Sequence, residues 1–206
     1  MRLGVFGGVF NPPHIGHMVC AQEALVQLEL DVVVFVPVSE APHREIEDDP
    51  GADVRLRMCD LATVGDDRFA LSEIELERPG PSYTVDTLRE LRRRRPDDDL
   101  FLILGGDEAA SLPSAWREPE QVLRLATVAA AERDGRRREE IAEAVAALEG
   151  GERLAFFEMP RMDVSATLVR RRAAAGLPIR YLVPDKVADF IGANSLYGAS
   201  AAVGAS

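Results

Sequence analysis

The sequence predicts an α/β protein, a single-domain, Rossmann-like, doubly wound parallel sheet with C-terminal helices. Strands buried on both faces are indicated by three short apolar runs, at Leu3–Phe6, Asp31–Val36 and Leu100–Leu104. Between the first two runs, apolar residues recur at helical spacing from Ile15 to Leu28. A helix that joins two buried strands is the crossover that a parallel sheet requires. Ligands of such sheets lie beyond the carboxyl ends of the strands.

The same periodicities predict the remaining elements. Further strands are predicted over Phe69–Leu76, Leu125–Ala131 and Leu154–Phe157. Further helices are predicted over 53–64, 84–94 and 136–149, from Ser165 to Gly176, and from Pro184 to Ile191. Asp53 would cap the first of these helices, with Arg55 and Arg57 on its polar side, and Ser82 or Thr84 would cap the second.

Length and composition indicate one folded unit. The chain has 206 residues, of which 47% are hydrophobic and 29% charged, and these are ordinary values for a globular protein. We expect a domain over residues 1–197 and a flexible tail over 198–206, where Gly, Ala, Ser and Val follow without periodicity. The net charge of −11 argues against general nucleic-acid binding but permits a small anionic substrate in a local basic cleft.

The sequence also predicts where the protein works. Its amino terminus has no secretory signal pattern, and no apolar run approaches the length of a membrane span. The two cysteines, Cys20 and Cys59, lie in helical apolar patterns, which predict buried thiols in a reducing compartment. We therefore expect a cytoplasmic protein with no membrane partner.

The first strand is followed by a segment suited to an anion. Gly7-Gly8 ends the strand where the backbone must turn or approach a ligand, and Asn11-Pro12-Pro13 leads stiffly into a helix. His14 and His17 lie three residues apart on one face of the first helical turn, so both rings can donate to one anion. Free N–H groups and the positive helix end add to the site. A nucleotide's phosphate chain is the anion most in need of such donors.

A second anion site is predicted near the carboxyl end of the chain. Ser165 is placed to cap a helix, Thr167 adds a hydroxyl to its first turn, and Arg170 follows one turn later. Helix N–H groups, hydroxyls and a guanidinium would converge on one point. If the two helix beginnings meet in space, imidazoles and a guanidinium can hold one polyphosphate.

Between these two sites, a strand end offers further ligand contacts. Gly105 and Gly106 follow the strand at Leu100–Leu104, and glycines at a strand's carboxyl end let a ligand approach closely. Asp107 could accept hydrogen bonds from both hydroxyls of a ribose. Trp116, the only tryptophan, offers a flat ring on which a pyridine could stack, although core packing would also explain it.

Three stretches resemble the motifs of a known family. These are GGVFNPPHIGH near the amino end, ELERPGPSYTVDTL in the middle and DVSATLVR near the carboxyl end. They resemble the HxGH nucleotidyltransferase superfamily, and within it the bacterial nicotinate-mononucleotide adenylyltransferases. The resemblance extends from Met1 to about Tyr197, and the motifs occur in the family's order.

The resemblance implies roles for individual residues. His14, His17 and Arg170 would be catalytic and face the triphosphate of ATP, with His17 nearest the transferring centre. Thr84 and Trp116 would contact nicotinate mononucleotide. The other residues that would bind ATP are Gly8, Val9, Phe10, Arg44, Gly105, Asp107, Ser165 and Thr167.

The chain departs from the family pattern at two positions. Many members have Thr or Ser where this chain has Val9, so only a backbone N–H can serve there. Ala166 replaces the second serine of the carboxyl-terminal motif and removes one donor.

Taken alone, Thr84 would be an ordinary helix cap and Arg44 an ordinary solvated loop residue.

The reaction that the resemblance implies is adenylyl transfer from ATP to nicotinate mononucleotide, a step of NAD biosynthesis. The attacking phosphate is already anionic, so alignment and charge neutralisation are the protein's tasks. Mg²⁺ would be carried on the ATP phosphates, since the sequence offers no obvious carboxylate cage of its own. A homo-oligomer is compatible with the sequence.

Several alternatives stay open on the sequence. The acceptor could be nicotinamide mononucleotide or another phosphate such as phosphopantetheine. Because of Val9 and Ala166, the chain could instead be a nucleotide-binding regulator without catalysis. The spacing of His14, His17 and Cys20 also fits a zinc-binding structural module, although no fourth ligand is evident.

Overall fold

The computed structural model describes residues 1–42, 45–132 and 138–199 of the 206-residue chain. In this part of the chain, six strands form one sheet. The strands are β1 (Arg2–Gly8), β2 (Val32–Pro37), β3 (Phe69–Leu71), β4 (Asp99–Gly105), β5 (Thr127–Glu132) and β6 (Leu154–Glu158). The helices are α1 (Ile15–Gln27), α2 (Ala52–Thr63), α3 (Thr84–Arg94), α4 (Gly106–Ala115), α5 (Pro119–Leu125), α6 (Arg138–Ala146), α7 (Ala166–Ala174) and α8 (Asp185–Ala193), followed by a 3-10 turn, Leu196–Gly198.

The sheet is doubly wound, as the sequence predicts. Its strand order is β3-β2-β1-β4-β5-β6, and every neighbouring pair is parallel. The chain winds outward from β1 to β3, returns to the middle and winds outward again from β4 to β6. The winding reverses between β1 and β4, and a crevice forms beyond the carboxyl ends of strands at such a point. The predicted fold class is confirmed.

The central strands are buried on both faces, which explains their unbroken apolar runs. In β4, Leu100, Leu102 and Leu104 pack into one cluster with α3, α4, α5 and α6. Phe101 and Ile103 point to the opposite face, into a cluster with α1. Each such side chain contributes about 1.5–3 kcal/mol through the apolar surface it removes from water. The strands that carry the site therefore form a rigid support.

The edge strand β3 is shorter than the sequence predicts. Pairing with β2 covers Phe69–Leu71 and ends where the Ser72 N–H donates to the Phe35 carbonyl. The chain then turns, because the N–H groups of Leu76 and Glu77 both donate to the carbonyl of Glu73. The alternating pattern continues through this turn, so periodicity alone did not mark its beginning.

Helix α2 corrects two predictions. It begins at Ala52 after Gly51, whose φ of +102° lies in the region that favours glycine, and Asp53 lies in the first turn without capping the helix. Arg57 is exposed as predicted, but Arg55 is fully buried. Arg55 precedes Met58 and Cys59 by three and four residues, so it lies on the same face as these two core residues.

The predicted helix caps are partly confirmed. Ser165 caps α7, since its Oγ accepts a hydrogen bond from the Leu168 N–H at 3.2 Å. Tyr83 occupies the N-cap position of α3 without a side-chain hydrogen bond, so neither Ser82 nor Thr84 caps that helix. Gly176 follows α7 with a φ of +66°, and the Leu177 N–H donates back to the Arg172 carbonyl.

Cys20 and Cys59 are both buried free thiols, as predicted. Most of the expected tail at 198–206 lies outside the described residues, which end at Ala199. Among the helices of the described part, none combines the length and the apolar character needed to span a membrane.

Candidate active site

A cleft of about 1250 Å³ lies beyond the carboxyl ends of β1 and β4. Its walls come from the loop after β1, the segment after β2, the starts of α3 and α4, and the start of α7. It is lined by all the predicted site residues that the structure describes: Gly8, Val9, Phe10, His14, His17, Thr84, Gly105, Asp107, Trp116, Ser165, Thr167 and Arg170. Arg44 lies outside the described residues.

The two histidines stand together at the beginning of α1. Their ring centroids are 3.7 Å apart at an interplanar angle of 27°, and the backbone N–H of His14 donates to His17 Nδ1 at 3.1 Å. The His17 ring also meets the edges of Phe6 and Phe10, with centroids 6.1 and 5.1 Å away. Backbone and aromatic contacts therefore fix the orientation of the His17 ring.

The surroundings of His17 determine its protonation. Burial, and the nearby imidazole of His14, lower the pKa of His17 well below its usual range. The ring is therefore neutral at pH 7, and because Nδ1 accepts a hydrogen bond, the proton resides on Nε2. His17 is thus an N–H donor without a charge of its own, which differs from the imidazolium that would pair with an anion in water.

A carbonyl of the carboxyl-terminal segment occupies one of the backbone N–H donors predicted at the beginning of α1. The N–H of Ile15, the first residue of α1, donates to the Leu182 carbonyl at 2.9 Å. The His17 N–H turns back to the His14 carbonyl at 2.9 Å. The helix end therefore supplies fewer backbone donors than the sequence predicts, and the imidazoles provide a larger share of the donors at this wall.

Arg170 reaches the same cleft from α7. Its Nη1 donates to the Asn11 carbonyl at 3.0 Å, three residues before His14. Its Nη2 and Nε donate to the carboxylates of Glu47 at 2.6 Å and Asp48 at 3.2 Å. Arg170 thus bonds the loop that leads to His14 and lines the same cleft as both histidines, and its guanidinium also holds two carboxylates that the sequence did not place there.

The opposite wall combines a helix beginning with aromatic rings. Helix α3 begins at Thr84, directly at the cleft. Trp116 ends α4, is partly buried, and donates from Nε1 to Ser111 Oγ at 3.2 Å. The Arg117 guanidinium lies 4.6 Å from the centroid of the Tyr83 ring. This wall can hold a flat ring and can attract a negative group to the start of α3.

A profile described as cytidylyltransferase-like matches residues 5–172, a range that runs from β1 to the α7 helix and includes Arg170. The chain belongs to the cytidylyltransferase-like family. The matched range contains His14, His17 and Arg170, so the family similarity covers the cleft as well as the sheet.

Relatives within this family carry a more specific name. The Bacillus subtilis (strain 168) nicotinate-nucleotide adenylyltransferase is 37% identical over 196 residues, which are 95% of this chain and 98% of the relative. A Shouchella clausii (strain KSM-K16) protein named "Probable nicotinate-nucleotide adenylyltransferase" is 41% identical over 197 residues, 96% of this chain and 97% of the relative. The predicted resemblance to this group is confirmed.

A solved structure shares the cytidylyltransferase-like fold described here. It is the Plasmodium falciparum nicotinic acid mononucleotide adenylyltransferase complexed with NaAD. The TM-score is 0.76 at 16% sequence identity, and the match covers 97% of this chain and 98% of that chain. At this identity the similarity concerns the fold, and it agrees with the parallel sheet described above.

Sequence reasoning missed Arg55, which does not line the cleft but bonds the backbone of Val9 and Val38, two residues that do. Its Nη1 donates to the carbonyls of Val9 at 3.2 Å and Val38 at 2.6 Å. Its Nη2 and Nε donate to the Ser39 carbonyl at 3.1 Å and to Asp49 Oδ1 at 2.8 Å. One buried guanidinium therefore joins the loop after β1 to the segment after β2. The spacing of Arg55 from Met58 and Cys59 was the signal that could have revealed its burial.

Glu75 is a second residue that the sequence did not identify. It lines the cleft beside the start of α3 and is 7% exposed. Thr87 Oγ1 donates to its Oε1 at 2.6 Å. Burial raises the pKa of Glu75, while the hydrogen bond from Thr87 opposes the rise. No local pattern marks this position, because Thr87, which donates to Glu75, lies on a helix that begins nine residues later.

The zinc-binding alternative finds no support in the geometry. A structural zinc site requires four convergent ligands, usually cysteine and histidine. Within residues 1–42, 45–132 and 138–199, no group of three or more His, Cys, Asp or Glu side chains is arranged to hold a metal ion. His14 and His17 instead stack on each other at the wall of the cleft.

Proposed function

We propose that this protein transfers the adenylyl group of ATP to nicotinate mononucleotide and releases nicotinate adenine dinucleotide and pyrophosphate. The observation that carries the proposal is the meeting of His14 and His17 with Arg170 in one cleft, opposite a wall that holds Thr84 and Trp116. Relatives named nicotinate-nucleotide adenylyltransferase, which match nearly the full chain, support this acceptor.

The proposed chemistry is an in-line displacement at the α-phosphorus of ATP. A 5′-phosphate oxygen of the mononucleotide forms the new P–O bond, and the bond to the bridging oxygen between the α- and β-phosphorus breaks. Pyrophosphate leaves with that electron pair. The nucleophile is already an anion, so no general base is needed. The protein aligns the reactants and stabilises the charge that moves onto pyrophosphate.

The proposed roles on the phosphate side follow from donor type. His17 would donate from Nε2 to the transferring phosphoryl group, and His14 would donate to the neighbouring phosphate. Arg170 would hold the β- and γ-phosphates. Ser165 accepts from the helix through its lone pairs, so its O–H proton stays available to a phosphate oxygen, and the exposed Thr167 adds a second hydroxyl.

The remaining ATP contacts are proposed along the carboxyl ends of β1 and β4. Gly8, Val9 and Phe10 would bring backbone groups to the nucleotide, and Gly105 and Asp107 would meet the adenylate ribose. Mg²⁺ would be held by oxygens of the ATP phosphates, because the described residues offer no set of three ligands for it. Its role would be to neutralise phosphate charge.

The beginning of α3 favours nicotinate mononucleotide over nicotinamide mononucleotide as the acceptor. The positive end of a helix dipole stabilises a nearby anion, and α3 begins at the cleft with Thr84. The nicotinate carboxylate carries a charge that the nicotinamide group lacks. We therefore place the pyridine ring between Thr84 and Trp116, with its carboxylate toward the start of α3.

The test is pyrophosphate release from ATP in the presence of each acceptor. We expect turnover about five- to thirtyfold faster with nicotinate mononucleotide than with the amide, since one charge–dipole contact is worth about 1–2 kcal/mol when partly buried. Phosphopantetheine should give no turnover. Faster reaction with the amide would contradict the acceptor assignment. ATP binding without pyrophosphate release from any acceptor would favour the non-catalytic regulator.

Removal of the Trp116 ring should selectively weaken the binding of nicotinate mononucleotide. In Trp116→Ala, we expect the KM for nicotinate mononucleotide to rise about five- to twentyfold, since a stacked aromatic contact contributes about 0.5–1.5 kcal/mol beyond its buried area. The KM for ATP should change less than twofold. Steady-state kinetics with each substrate varied measures both constants.

Ser111→Ala is the matched control for this experiment. It removes the acceptor of the Trp116 indole N–H and retains the ring, so the KM for the mononucleotide should rise only about twofold. An unchanged mononucleotide KM in Trp116→Ala would remove Trp116 from the acceptor site.

The proposed setting follows from charge and cysteine chemistry. The net charge of −11 is compatible with small anionic substrates concentrated in one cleft and opposes general binding of nucleic acid. Cys20 and Cys59 are buried free thiols, in keeping with a reducing compartment such as the cytoplasm. We propose no membrane partner, and light scattering of the purified protein would measure whether it forms a homo-oligomer.

A further inference from the structure

Two acidic side chains of the segment after β2 occupy the guanidinium of Arg170. The Nη2 atom of Arg170 lies 2.6 Å from Glu47 Oε2, and its Nε lies 3.2 Å from Asp48 Oδ2. A third donor, Nη1, bonds the Asn11 carbonyl at 3.0 Å. Because the Arg170 side chain is only 8% exposed, these groups make up most of its polar surroundings.

The three contacts differ in how readily water reaches them. Asn11 is 3% exposed, and its carbonyl belongs to the backbone of the loop after β1. The Glu47 and Asp48 side chains are 74% and 62% exposed. The carboxylates therefore cover the solvent side of the guanidinium, while the carbonyl holds it from the protein side. Glu47 itself lines the cleft that contains the histidines.

The backbone of this segment is held independently of the two carboxylates. Asn11 Nδ2 donates to the Glu47 carbonyl at 2.8 Å. Asp49 accepts from Arg55 Nε at 2.8 Å and from the Gly51 N–H at 2.9 Å. The Glu47 side chain can therefore rotate into solvent while its backbone stays in place, and release of Arg170 requires no movement of the whole segment.

We infer that Glu47, together with Asp48, competes with the phosphates of ATP for Arg170 and so determines the affinity for ATP. The inference rests on the proposed function, in which Arg170 holds the β- and γ-phosphates. Carboxylate and phosphate oxygens bind a guanidinium fork in the same way, so either anion can take the Nη2 and Nε donors. The two anions repel each other when both are close. ATP therefore replaces Glu47, which turns into water.

The exchange is readily reversible because of the exposure of Glu47. An ion pair with an exposed partner contributes little stability, so its loss is offset by contacts to a triphosphate of higher charge. Glu47 is accordingly a residue that determines affinity, and it takes no part in the transfer step. Its removal should lower the KM for ATP and leave the KM for the acceptor unchanged.

The test is binding of α,β-methylene-ATP with Mg²⁺, measured by titration calorimetry on the full chain. Glu47→Gln should bind this analogue about three- to tenfold more tightly than the unaltered protein. Glu45→Gln is the matched control, because Glu45 is also exposed and also lines the cleft, and no ion pair of the described residues joins it to Arg170. The affinity of Glu45→Gln for the analogue should stay within about twofold of that of the unaltered protein.

Two results would overturn the inference. One is an unchanged or weaker affinity in Glu47→Gln, and the other is an equal gain in Glu45→Gln, which would indicate a general effect of charge. In an Arg170→Met background the gain from Glu47→Gln should vanish, and its persistence would also contradict the competition. Binding is measured without turnover, so a wild-type protein that makes no dinucleotide contradicts the proposed function and leaves this comparison valid.

Discussion

His17→Ala should lower kcat by about 10²–10³-fold, the range found when one donor that stabilises transition-state charge is removed. Burial holds the pKa of His17 low, so the ring donates as a neutral group and does not attract ATP through a full charge. Its orientation is fixed by the His14 N–H and by the Phe6 and Phe10 rings, so little reorganisation is needed during the reaction. The loss should therefore fall on kcat more than on the KM for ATP.

The measurement is steady-state kinetics of the purified variant with each substrate varied. Gln22→Ala is the control, since Gln22 is exposed on the same helix and does not line the cleft. Its kcat should stay within about twofold. Near-normal turnover in His17→Ala would contradict the role assigned to this imidazole. Binding of α,β-methylene-ATP to the variant within about fivefold would separate the effect from a loss of folding.

Arg55→Met should lower the free energy of unfolding by about 3–5 kcal/mol, the usual effect of removing one partner from a buried charged network. The side chain of Arg55 is 0% exposed, and methionine approximates the length of its aliphatic part. The carbonyls of Val9, Val38 and Ser39 would lose their common donor. A buried acceptor left without a donor contributes about 1–3 kcal/mol to this loss.

Chemical denaturation followed by circular dichroism measures this change. Arg57→Met is the matched control on the same helix, because Arg57 is 56% exposed and pairs only with Asp60 among the ion pairs of the described residues. Its unfolding free energy should change by less than about 0.5 kcal/mol. Equal effects of the two substitutions would show that the Arg55 network does not stabilise the fold.

Most of the element pattern of this protein could be predicted because its signals are local, but helices α4 and α5 were missed. The runs at Leu3–Phe6 and Leu100–Leu104 are apolar throughout because helices cover both faces of the central strands. Ser165 is in fact the cap of α7, since a capping hydroxyl acts on a backbone N–H three residues away. Element ends were less predictable, as β3 shows, because the alternation of side chains continues beyond the last pairing with β2.

Most of the residues proposed for the site could be predicted to line one cleft. His14, His17, Ser165 and Arg170 belong to helix beginnings, and a parallel sheet brings helix beginnings to the edge where strands end. Their partners could not be predicted. Arg55 reads as a surface residue in sequence, yet it bonds carbonyls 16, 17 and 46 residues away. The partner of Glu75 could not be predicted either, because Thr87, which donates to it, lies twelve residues away.

The sequence by itself determined the doubly wound sheet, the order and type of its elements except for helices α4 and α5, and the two loops that begin α1 and α7, because periodicity and capping act over a few residues. The tertiary structure alone decided that Arg170 faces Glu47 and Asp48, 123 and 122 residues away. It also decided that His17 is neutral and that Arg55 is buried. These features depend on which distant groups surround a side chain, and the free energy of a charge is set by those surroundings.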